Sequence, residues 1–111
     1  MDNQTVFDFD AAREARDQGI RTAIEHADDV TPRWSDKAFE LLCEHAQRHA
    51  EFTSEDVRFA AKDSIPAPPD GRAWGGVFQR AARAGIIARA GYVQARDPKV
   101  HCNVVTLWRA A

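Results

Sequence analysis

Three observations predict a mainly α chain that closes in a β-hairpin. Apolar residues recur at the helical period through Ala38, Leu41, Leu42 and Ala46, and again through Trp74, Val77, Phe78 and Ala81. Beyond Gly85 the period changes to that of strands, in two runs, Ile86 to Gln94 and Cys102 to Arg109. The segment between them, Ala95-Arg96-Asp97-Pro98-Lys99-Val100-His101, carries the turn chemistry that joins a hairpin.

Taken in order, residues 1–9 read as extended, with Phe7 and Phe9 as anchors. A first helix is expected from about Asp10, its N-cap, to Ala27. Its apolar positions are sparse (Ala12, Ile20, Ala23, Ile24, Ala27), and Gly19 weakens it. That pattern suits an arm lying on the domain or on a partner rather than a core helix. Asp28 to Arg33 reads as a linker, because Pro32 disfavours helix at Thr31.

Ser35 then caps a strong helix running to about His49, with Trp34 placed for a hydrophobic staple. Glu51-Phe52 is a short break. Thr53 followed by Asp56 is a capping pair for a helix over about Ser54–Asp63, expected to bury Val57, Phe59, Ala60 and Ala61. Ile65-Pro66-Ala67-Pro68-Pro69 is a stiff connector that no helix crosses. The next helix spans about Gly71–Ala84, and Gly85 stops it.

Arm helix, three helices and a hairpin is the order of a winged helix-turn-helix preceded by an N-terminal arm. The expected division is residues 1–33 for arm and linker and 34–111 for the winged-helix domain. The loop between its second and third helices is longer than in a minimal helix-turn-helix.

With 111 residues, 44% of them hydrophobic, the chain fits one core. No apolar run nears the roughly 20 residues of a membrane span, and the acidic N-terminus lacks the pattern of a secretory signal. Two cysteines, Cys43 and Cys102, make no disulfide framework, so a reducing bacterial cytoplasm is the expected setting. The net charge of −2 hides an asymmetry. Residues 1–51 hold 12 acidic and 6 basic side chains, and residues 52–111 hold 5 acidic and 9 basic. A basic module with an acidic extension is the footprint of a nucleic-acid binder.

The third helix of the module is the natural recognition element. With its apolar residues inward, Arg72, Gly76, Gln79, Arg80 and Arg83 form one stripe. Arginine forks suit phosphates or guanine, and glutamine suits adenine. At the wing tip, Arg96, Lys99 and His101 are placed for the phosphate backbone. The helical pair Gly75-Gly76 implies a close approach, either to a nucleic-acid backbone or to a neighbouring helix. Trp34, Trp74 and Trp108 read as core residues rather than stacking platforms for bases.

No catalytic constellation is evident. His45 and His49 share a helix face, yet no HExxH or CxxC exists. Cys43 reads as a small core residue and His49 as a helix C-terminal cation. No enzyme activity, metal or cofactor is expected.

The stretch DGRAWGGVFQRAARAGII, followed by GYVQARDPKVHCNVVTLWRA, resembles small uncharacterised winged-helix proteins of bacteriophages and prophages. The shared features are Arg72-Ala73-Trp74-Gly75, Ala84-Gly85-Ile86 and Leu107-Trp108-Arg109, and TPRWSDKAFELL with FTSEDVR looks similar too. The resemblance covers about residues 10–110. It implies a role in regulation, replication or recombination, and it carries no catalytic residues.

The expected partner is double-stranded DNA, with the third helix in the major groove and the wing on the backbone. The alternative is a protein–protein interaction module that docks a phage or host protein. A homodimer through the N-terminal helix would reconcile the acidic and basic halves.

Overall fold

The computed structural model describes residues 2–97 and 104–111, residues 2–9 by their backbone alone. Within these residues the chain is mainly helical: α1 (Asp2–Val30), α2 (Trp34–Arg48), α3 (Ser54–Ala61) and α4 (Arg72–Arg83). A small antiparallel sheet joins β1 (Glu51–Phe52), β2 (Ile87–Gln94) and β3 (Val104–Ala110) in the order β1-β3-β2. None of the described helices is long and apolar enough to cross a membrane.

The first helix is longer than expected. It begins at Asp2 rather than near Asp10, so residues 2–9 are helical and Asp10 lies inside the helix. It also runs through Asp28 and Asp29 to Val30, leaving only residues 31–33 as the turn. The sparse apolar positions at its C-terminal end suffice for packing. Ala23 and Ala27 are buried, and Ile24 packs against the same core as the other helices. Residues 10–16 are all exposed.

Helix α2 is capped differently from the expectation. The cap position is Arg33, in the left-handed region at φ 62°, and Trp34 is the first helical residue. Ser35 is capped rather than capping: its backbone N–H and hydroxyl donate to the Asp28 carboxylate at 2.8 and 2.9 Å. A carboxylate at the positive end of α2 replaces the missing local cap.

Trp34 anchors the core with no exposed surface. Its indole N–H donates to the Pro66 carbonyl at 2.9 Å, and its ring meets Trp74 edge-on with centroids 5.2 Å apart. The stiff proline connector is thereby pinned beneath α2 and α4. Leu42, Phe52, Val57, Val77 and Phe78 fill the remaining space. Burying each such side chain contributes about 1.5–3 kcal/mol.

The capping box at α3 forms as expected. Thr53 N–H donates to Asp56 Oδ2 at 2.9 Å, and Asp56 N–H donates to the Thr53 hydroxyl oxygen at 3.4 Å. The buried face of α3 is narrower than expected. Val57 and Ala61, four apart, are buried, whereas Phe59 is 70% exposed and Ala60 is also exposed. Phe59 stands two residues from each buried position, which points it to the opposite side of the helix. The Lys62 ammonium covers its ring at 4.2 Å.

The break at Glu51-Phe52 is strand β1, paired Glu51 to Arg109 and Phe52 to Trp108. Helix α4 ends at Arg83 with Ala84 as its cap, and the chain turns at Gly85, whose φ of 75° is one that side chains with a Cβ rarely adopt. Strand β2 bulges between Arg89 and Gly91.

Candidate functional site

Helix α4 carries the site because its sequence divides sharply. Ala73, Trp74, Val77, Phe78 and Ala81 are buried, while Arg72, Gln79, Arg80 and Arg83 are exposed. Gly76 departs from the expected stripe: it is buried beneath α1. A Cβ there would overlap Ile24 and stand 2.9 Å from Ile20 Cγ2. Of the two approaches left open for the glycine pair, the structure shows the neighbouring helix at Gly76. Gly75 has open space around it.

The arginines of the stripe differ in their partners. Arg80 donates to Asp36 of α2 at 3.0 Å and lies 4.0 Å over the Phe39 ring. The hydrogen bond from Arg80 holds the Asp36 carboxyl below its ordinary value. Arg72 grips Asp70 through Nε at 3.0 Å and Nη2 at 2.7 Å, which lowers the Asp70 pKa. Arg83 Nε donates to the Gln79 carbonyl at 3.4 Å and forms no ion pair among the described residues.

Beyond β2, the Arg96 guanidinium pairs with Asp56. The backbone N–H groups of Arg96 and Asp97 donate to the two Glu55 oxygens at 3.0 and 2.9 Å. The hairpin is thus fastened to the N-terminal turn of α3, and Arg96 is committed to that contact. Lys99 and His101 lie outside the described residues, as does Cys102.

What the structure assembles around α4 is a cleft of about 610 Å³. Its floor is α4, with Gln79 and Arg83 exposed, Ala82 half-buried and Gly76 buried at its edge. One wall is α1, with Asp17, Ile20, Arg21 and Ile24; the other is the base of the hairpin, with Ile87, Ala88, Arg89 and Trp108. Arg21, Arg83 and Arg89 come from three different elements, and none forms an ion pair among the described residues. Among the described residues, Asp17 is the only carboxylate of the lining.

Strand register extends this surface. Arg89 pairs with Trp108, Tyr92 with Thr106 and Gln94 with Val104, so these six share one sheet face. The Arg89 guanidinium lies 5.8 Å from the Trp108 ring, which confirms the shared side. Tyr92 is 66% exposed. Trp34 and Trp74 are core residues as expected, whereas Trp108 is only partly buried and reaches the cleft.

The arm and strand residues of this surface escaped the sequence reading. Arg21 follows Asp17 and precedes Ile24 at helical spacing, and the alternation Val104, Thr106, Trp108 marks one strand face. Both signals were present, but neither reveals that α1 and β2 flank the same helix.

A second cleft, of about 880 Å³, lies between α2, α3 and the hairpin. It brings Glu51, Glu55 and Asp56 together with His45, His49 and the exposed Phe59. The two imidazoles stack with centroids 4.1 Å apart. Burial, then the charge of His49, lowers the His45 pKa. Burial raises that of the Cys43 thiol. No group of three or more potential metal ligands occurs among the described residues.

No protein-family model matches this chain, and no curated protein or solved structure is significantly similar to it.

Proposed function

We propose that the chain is a winged-helix module that binds nucleic acid, of the bacteriophage type and acting in regulation, replication or recombination. The element order α2-β1-α3-α4-β2-β3, with sheet order β1-β3-β2, supports the winged-helix reading. In it α4 is the recognition helix and β2–β3 the wing.

The observation that carries the nucleic-acid reading is the set Arg21, Arg83 and Arg89. Three guanidinium groups that form no ion pair among the described residues surround the cleft on α4. Such groups bind phosphates as forks and release counterions. Gln79 on the cleft floor supplies a base-edge donor and acceptor. The test is fluorescence anisotropy with labelled DNA, comparing the full chain with Arg83→Ala and Arg89→Ala. Each substitution is expected to weaken binding severalfold with the fold intact by circular dichroism. Equal affinity in all three proteins would remove the reading.

The second cleft favours a protein-interaction reading beside it. Phe59, exposed in a cleft that Glu51 also lines, suits a partner segment that is apolar with a basic group. In that reading Phe59→Ala abolishes partner capture and leaves nucleic-acid binding unchanged.

A further inference from the structure

The walls of the α4 cleft bear on which form of nucleic acid it takes. Gly76 and Ala82 lie three residues before and after Gln79, about 60° round the helix on either side. Helix α1 covers Gly76, and Ala82 faces the base of the hairpin. The reading face is therefore a floor between two walls, not a ridge. Gly76 lets α1 approach closely, so the two helices are in contact at this point. Together they present a width of roughly 20 Å, against about 12 Å for the major groove of B-DNA. With α1 in this position, a groove wide enough for one helix would have to admit two at Gly76.

A single strand meets no such obstacle. Resting on the nucleic-acid reading above, we infer that the cleft and the adjoining sheet face bind single-stranded nucleic acid in preference to duplex. Arg21, Arg83 and Arg89 hold its phosphates. Tyr92 is exposed on the sheet face that Trp108 and Arg89 share, and it offers a ring on which a base stacks. Gln94 and Thr106 flank that ring by register, with side chains able to bond base edges. A basic channel that continues into an aromatic strand face is the arrangement that sequence-tolerant single-strand binding requires.

The experiment is anisotropy of a labelled oligo(dT) of about 20 nucleotides against a mixed-sequence duplex of the same length, using the full chain. Binding to the single strand is expected to be at least about tenfold tighter. Tyr92→Ala should lose roughly five- to tenfold of that affinity, and Tyr92→Phe should retain it, since stacking needs the ring and not the hydroxyl. Tyr92 is exposed, so neither substitution threatens the core. Equal or tighter duplex binding overturns the preference while sparing the nucleic-acid reading, and an unaffected Tyr92→Ala overturns the stacking role. Binding of neither oligonucleotide at low salt overturns both readings together.

Discussion

Gly76 of α4 lies directly against Ile24 of α1, so close that a methyl group on the glycine would overlap the isoleucine side chain. This contact places α1 against α4 beside the cleft that holds Gln79 and Arg83. Gly76→Ala is therefore expected to destabilise the fold by about 1–3 kcal/mol, because α1 must shift. Gly75→Ala meets open space and should stabilise it by up to about 1 kcal/mol through helix propensity. Urea denaturation of the two variants compares them, and shifts of the same sign would contradict the contact.

Trp34 ties two distant segments together through its hydrogen bond to Pro66. Trp34→Phe keeps most of the ring but leaves the Pro66 carbonyl without this donor. A loss of about 1–3 kcal/mol is expected, and about 3–5 kcal/mol for Trp34→Ala. A midpoint for Trp34→Phe equal to that of the parent would show that the bond is immaterial.

Much of this framework is legible in the sequence. The apolar period fixes α2 and α4, Thr53 with Asp56 announces the start of α3, and Gly85 marks the end of α4. Local chemistry decides these features. The misreadings share a different cause. Asp28 caps α2 from the preceding helix, β1 is held by Trp108 and Arg109, and Gly76 is covered by α1. Each depends on a partner distant in the chain or on another element, which periodicity does not encode. The site fared likewise: the exposed arginines of α4 were apparent, but their pairing with Asp36 and Asp70, and the contributions of Arg21 and Arg89, arise only on folding.

His45 gives the fold a pH dependence. Burial first, and His49 second, keep its pKa below the ordinary 6.5. The unfolded chain then takes up the proton at higher pH than the native state, so stability falls as pH drops below about 6.5 and through the native value. Thermal melts between about pH 7 and pH 5 should show this decline, and His45→Gln should flatten it. A decline of equal slope in both proteins would assign it to other groups.

Asp36 reports on Arg80 in the same way. Its carboxyl is held below the ordinary 3.8, mainly by the Arg80 hydrogen bond, so the pair persists above that pH and is lost as pH falls through the native value. Arg80→Ala should move the Asp36 titration, followed by NMR, back up toward 3.8. An unmoved titration would mean that the pair does not form in solution.

Phosphate binding by the three arginines around α4 is tested by the salt dependence of single-strand binding. Three phosphate contacts predict a slope of log affinity against log salt near −2, at about −0.7 per contact, and Arg83→Ala should reduce it by about 0.7. A slope indistinguishable from zero, or one that Arg83→Ala leaves unchanged, would contradict the account.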